Sequence, residues 1–199
     1  YIHWMSHLNS ANMGSGTAWG SSANASSFKT LTAAQTASFG AGTDGTVGTS
    51  QLSTGWDFFN NAETVDVSLL VTGSGNSTMA TYVISNIAET RKDCVAFVSP
   101  PSSNVVNNPG SEVSAITTFR NGLTSSSYAV LDSGYKYQYD KYSDVYRWVP
   151  LNGDIAGLCV RTDNERDPWF SPGGLNRGVI KNVVKLSWNP TKTNRDDLY

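Results

Sequence analysis

The 199-residue chain is nearly without histidine, holding only His3 and His7 at its start. A nucleophile–imidazole–acid triad has no base to draw on after residue 7. A sheet-topped hydrolase, whose histidine follows its acid in sequence, is therefore excluded within these residues. The two histidines stand four apart, a spacing that could seat a metal on a helix. Trp4-Met5-Ser6 between them lacks the inner glutamate of the zinc-protease pattern, so no metal is expected. Cysteine is scarce too: Cys94 and Cys159 both sit among apolar neighbours, form no Cys-x-x-Cys pair, and read as buried, reduced core thiols. Charge is sparse and balanced, 14 Lys and Arg against 16 Asp and Glu, which leaves no footprint for nucleic acid. No apolar run approaches the roughly 18 residues that a membrane span needs.

A signal-peptide layout is also missing, and Tyr1-Ile2-His3-Trp4-Met5 reads as a start partway through a longer protein. The length suits one domain with a real core. Residues 9–55 are dominated by Ser, Gly, Ala, Thr and Asn and bury little per ordered residue, which predicts a long surface excursion. Within it Gly40 to Thr46 is dense in turn formers, and a short helical pattern begins at Ser50.

From Val65 the rhythm changes. Val65–Val71 and Cys94–Val98 read as buried strands, the second stopped by Pro100-Pro101, and Ser127–Leu131 as a third. Between them, Thr78–Lys92 and Ser111–Gly122 carry apolar residues at helical spacing. Such alternation closes into a parallel sheet through right-handed crossovers. Tyr135, Tyr137 and Tyr139 then alternate with polar residues, and Val145–Val149 can pair back as a hairpin. Gly153–Arg161 reads as a helix with Asn152 or Asp154 near its start, and Val183–Trp188 is a last apolar run before a polar end. The expected fold is α/β, with a mixed, partly parallel sheet and packed helices.

Three patterns invite a chemical reading. Gly73-Ser74-Gly75-Asn76-Ser77-Thr78 follows a strand and opens a helix, where amides could hold a phosphate. Its third glycine position is Thr78 and no acid ends the next strand, so a tight turn is the plainer reading. A nucleotide-binding or hydrolase-like domain using this turn with Asp132 is the alternative function. Asp163, Glu165 and Asp167 could attract a hard cation, but no EF-hand glycine follows and Arg161 and Arg166 are interleaved, which predicts a salt-bridged loop. The tyrosine series, with Tyr142, Tyr146 and Trp148, could stack sugars, although such faces more often pack on a core or a subunit. No catalytic set and no cofactor is expected.

The stretch from Trp148 to Gly178 has no catalytic grammar yet is too specific for an ordinary loop. Trp148-Val149-Pro150 runs into Gly153, Gly157 and Arg161-Thr162-Asp163, then into Pro168-Trp169-Phe170-Ser171-Pro172-Gly173-Gly174 and on to Gly178. Together with the turn at Asp44-Gly45 and the segment Val65-Asp66-Val67-Ser68-Leu69-Leu70-Val71, these residues resemble the tail sheath proteins of contractile-tailed bacteriophages, particularly T-even-like ones. Gly173 stands where many members carry alanine. The related sheaths of secretion machines and pyocin-like particles are separated poorly.

The resemblance implies a structural subunit, without catalysis, that assembles in hexameric rings around the tail tube, meets the baseplate, and contracts to drive the tube through the host envelope. It implies a virion tail location after assembly in the host cytoplasm. Residues 40–199 would be the sheath body domain and 1–39 the connection from a preceding β-rich inserted domain, with the inner assembly domain missing. On that view these 199 residues alone are monomeric in dilute solution, and Pro150, Pro168 and Pro172 stiffen the connections around the last helix.

Overall fold

The structure, a computed structural model, describes residues 45–199, of which Val47–Tyr199 form one compact unit. The histidine pair, Asp44, the connection over 1–39 and most of the Ser/Gly-rich excursion lie outside the described residues. All elements below belong to this unit.

After helix α1 (Thr49–Asp57), strand β1 (Leu69–Val71) leads into helix α2 (Ser77–Val83), which passes through a π-helical segment (Ile84–Ala88) into α3 (Glu89–Arg91). Strand β2 (Val95–Val98), helices α4 (Ser102–Val105) and α5 (Glu112–Asn121) and strand β3 (Ala129–Leu131) follow. The three strands pair in parallel in the order β1-β2-β3, with Leu70 opposite Ala96 and Phe97 opposite Val130. The chain then forms the hairpin β4 (Tyr135–Asp140) and β5 (Val145–Pro150), helix α6 (Asn152–Glu165), strand β6 (Lys185–Leu186) and helix α7 (Lys192–Leu198). These later strands make an antiparallel sheet of their own, ordered β5-β4-β6. The single mixed sheet expected from sequence is thus two sheets. The break falls where Asp132 turns the chain off β3, its carboxylate accepting the Gly134 amide at 3.0 Å.

Several boundaries shift for physical reasons. The apolar segment from Val65 becomes a strand only at Leu69, because its neighbour begins at Val95 and earlier residues have nothing to pair with. The expected Thr78–Lys92 helix is continuous in space but locally widened and underwound by the π segment, whose Ile84, Ile87 and Ala88 are all buried. It stops at Lys92, which is left-handed at φ 62°. Helix α6 outlasts its expected end at Arg161 by a turn, as Thr162 is buried and its hydroxyl donates to the Leu158 carbonyl. Helices α4 and α7 were not legible. Helix α7 is mostly polar, capped by Thr191 accepting from the Asn194 amide, and held on the body through Leu198.

The parallel sheet is covered on both faces. Leu70, Ala96 and Val98 point to one side, where they pack with Ala80, Val83, Ile84 and Ile87 from α2 and its π segment and with Phe119 of α5. Val71 and Phe97, paired in register on the other side, face α6, and a Cβ on Gly153 would stand 3.9 Å from Val71 Cγ1. Helix α1 lies outside α2. A second cluster of Val105, Ile116 and Tyr135, flanked by Trp148, Trp188 and Leu198, joins the antiparallel sheet to α4, α5 and α7. Cys94 is buried as expected, whereas Cys159 is only half-buried. Both are free thiols, pushed up in pKa by burial.

Candidate functional site

Ligands of open parallel sheets sit in the crevice beyond the carboxyl ends of the strands. Here that edge is formed by the Gly73–Thr78 turn after β1, Ser99-Pro100-Pro101 after β2 and Asp132 after β3. Gly73 takes a left-handed φ of 74°, and Asn76 caps α2 by accepting from the Met79 amide at 3.2 Å. Gly75 lies so close to the next loop that a Cβ there would meet Pro100 C and Pro101 N at 2.3 Å. The first residue of α6 completes the closure: Asn152 Nδ2 donates to the Gly73 carbonyl at 2.6 Å and its backbone amide to Ser99 Oγ at 3.1 Å. The crevice of a nucleotide-binding sheet is therefore filled by the chain itself.

The polar groups at this edge hold one another. Ser99, fully buried, donates to Asp132 Oδ2 at 2.5 Å, while Asp132 Oδ1 takes the Gly134 amide. Burial pushes the Asp132 carboxyl up to about 6, against the lowering effect of those two hydrogen bonds, and nearby Asp154 adds to the rise. Ser99 is next to an acid, but no imidazole stands by it among the described residues, so the pair fixes geometry instead of activating a nucleophile. Tyr135 donates its phenol proton to the Pro100 carbonyl at 2.9 Å, and the buried Lys136 ammonium binds Asp154 at 2.8 Å and the Lys181 carbonyl at 3.2 Å. This cluster joins the two sheets and α6.

Beyond α6 the chain makes a surface loop. Arg161 reaches from the helix and donates to the carbonyls of Arg177 and Val179. Arg177 in turn donates to the Ser171 carbonyl at 3.1 Å and stands over the Phe170 ring. Gly174 turns the chain at φ 113°, and Gly178 closes on it through an amide–carbonyl bond of 2.8 Å. A Cβ on Gly178 would meet Gly174 O at 3.0 Å. On this frame Trp169, stacked on Phe170 at 4.4 Å, is 76% exposed, and Leu175 is 96% exposed.

The tyrosine face splits along its length. Tyr135 is buried in the second core cluster, whereas Tyr139 and Tyr146 are about half exposed, and Tyr139 with Tyr142 lines an open groove of about 810 Å³. Tyr137 and Tyr146 stack on each other at 5.4 Å, and Tyr137 meets Trp148 at 4.9 Å, with Lys185 over both. Tyr137, Tyr146 and Trp148 thus spend part of their ring area on one another.

Of the residues singled out from sequence, Trp148, Pro150, Gly153, Arg161, Pro168, Trp169, Pro172, Gly173 and Gly178 fall along the path from hairpin through α6 to this loop. Pro150 pairs with Tyr135, and Gly153 abuts the parallel sheet. Gly157 faces open space and Gly173 has an ordinary φ; the left-handed turn is at Gly174. Gly45 and Asp66 lie elsewhere, Asp66 exposed. Asp163 and Glu165 stand on α6, and the expected salt-bridged loop does not form: no ion pair of the described residues includes Asp163, Glu165 or Asp167. Arg161 serves fixed loop carbonyls instead. Sequence reasoning gave no role to Ser99, whose partners Asp132 and Asn152 are far away in the chain, or to Arg177, and it read Gly75 only as part of a tight turn, not as a contact with Pro100-Pro101. No group of metal-binding residues occurs among the described residues, and no helix there is long and apolar enough to cross a membrane.

Residues 45–199 match the family model of the phage tail sheath protein central domain. The chain is 41% identical over 182 residues to a tail sheath protein of Vibrio phage KVP40, covering 81% of this chain and 27% of that protein. It is 45% identical over 161 residues to a tail sheath protein of Enterobacteria phage T4, covering 72% and 24%. A tail sheath protein of Salmonella phage ViI is 36% identical over 115 residues, covering 57% and 18%. The chain thus spans about a quarter or less of the length of these relatives.

Proposed function

The chain belongs to the phage tail sheath family, through its central domain, and on that premise we propose that it serves in a structural subunit of a contractile tail sheath. Copies polymerise around the tail tube and contract to drive it through the host envelope, so that the genome is delivered. The subunits form hexameric rings on a baseplate, assemble in the host cytoplasm and remain in the virion tail. Residues 40–199 act as the body domain, approached through a connection over 1–39. The conspicuous residues from Trp148 to Gly178, with Asp44, Gly45 and Asp66, are its signature and fix geometry. No cofactor takes part.

The observation that carries this reading is the family match across all the described residues of the body. The closed edge of the parallel sheet supports it: Gly75 against Pro100-Pro101 and Asn152 on Gly73 leave the phosphate position to the protein's own atoms. Contraction is then a repacking of nearly rigid bodies using energy stored on assembly, a change that needs no nucleotide. The test is to mix the protein at its natural length with purified tail tubes and view the product by electron microscopy. Stacked rings around the tubes are expected. Absence of any ordered polymer, or saturable calorimetric binding of a nucleotide or sugar phosphate that is lost on substitution of Asn76, would overturn the reading.

A further inference from the structure

Two apolar patches of opposite charge lie in the two outer layers of the body. The first follows α1. Phe58 is 74% and Phe59 37% exposed, and residues 56–66 carry Asp57, Glu63 and Asp66 with no lysine or arginine. Arg91 beneath it is spent on Asp93, at 2.9 Å, and on the Phe59 carbonyl at 2.7 Å. The second patch is the loop after α6, where Trp169 and Leu175 protrude and residues 166–181 carry Arg166, Arg177 and Lys181 against Asp167 alone. The acids Asp163 and Glu165 sit before it on α6. Because α1 rides on α2 and α6 covers the other face of the parallel sheet, the two patches are in opposite layers.

We propose that the two patches dock on each other between copies of this chain, with Trp169 and Leu175 of one copy seated beside Phe58 and Phe59 of the next. This inference rests on the sheath reading and names one surface pair that builds it. Exposed tryptophan on a braced frame is the usual anchor of an interface, since little entropy is lost when it is covered. Here the brace is Arg161 on the loop carbonyls and Arg177 on Ser171. The acidic patch meets the basic loop with complementary sign, which sets register and excludes like-on-like pairing. Each copy offers one patch on either side, so the contact is head-to-tail and propagates instead of closing on a dimer.

The test uses the protein at its natural length. Glu63→Lys with Asp66→Lys, and separately Arg166→Glu with Lys181→Glu, alter exposed side chains without recorded hydrogen bonds, so thermal melts should match the wild type. Each pair should raise the protein concentration needed for polymer by about tenfold, and all four changes together should return it to within about threefold of the wild type. Mixing Phe58→Cys with Leu175→Cys protein should give a crosslink between copies. Either pair assembling like the wild type, failure of the fourfold variant to recover, or a crosslink confined to a double-cysteine chain, where the patches are bridged within one copy, would overturn the docking. Wild-type protein that forms no polymer would instead overturn the sheath reading.

Discussion

Asp132 is a carboxyl that the fold prefers to keep protonated. Desolvation is the main reason, and it outweighs the bonds from Ser99 and Gly134. The unfolded group titrates near 3.8 and the folded one near about 6, so between these values the unfolded chain has released its proton and the folded one has not. Stability from this group is therefore lost as pH rises from about 4 to about 6, by about 3 kcal/mol in all, and is flat above. Urea melts at pH 5 and pH 7 should show the wild type more stable at pH 5, with that difference largely removed in Asp132→Asn. A variant with unchanged pH dependence would disprove the assignment. Gly75 is constrained differently, by space alone. A methyl group 2.3 Å from Pro100 C forces two backbone segments apart, so Gly75→Ala should cost about 3 kcal/mol, whereas Gly157→Ala, which meets nothing within 4 Å, should be neutral or stabilising on a helix. Equal melting temperatures for the two variants would sink that distinction.

Among the elements, α6 does two jobs at its two ends: its first residue closes the sheet edge and its third turn, through Arg161, holds the loop. Removing the guanidinium leaves the α6 core contacts of Ala156 and Leu158 in place. Arg161→Ala should thus leave the global melt nearly unchanged but speed amide exchange and proteolysis between residues 166 and 181 by about tenfold, the signature of local opening. Unchanged cleavage there would mean that Gly174 and Gly178 suffice. This division between ends also explains what was legible. The helical spacing from Met79 to Ile87 marks a face that buries, and the period-2 pattern of Tyr135 to Tyr139 marks a strand although only Tyr135 of the three is buried; both elements form where expected. Val65 and Val67 have strand chemistry but no neighbour to pair with, a fact held by the position of β2 and not by their own residues. Helix α7 carries too few apolar residues for a period, and Ser99, Gly75 and Arg177 draw their meaning from partners that only the fold supplies.

At the scale of the whole body, the two core clusters belong to different sheets and share no strand. They are tied by a short seam in which Ser99 bonds Asp132 and receives Asn152, Tyr135 reaches the Pro100 carbonyl, and Lys136 binds Asp154. That seam matters to the stability of the body, since either half alone presents only three short strands. Buried hydrogen bonds of this kind contribute about 1 kcal/mol each, and their loss weakens the joint without disturbing either cluster. In Ser99→Ala combined with Asn152→Ala, amide protection across β4 and β5 should fall by about tenfold while β2, enclosed by Val83, Ile87 and Phe119, keeps its wild-type protection. If β2 loses protection in the same proportion, the body unfolds as one unit, and the seam does not divide it into separately stable halves.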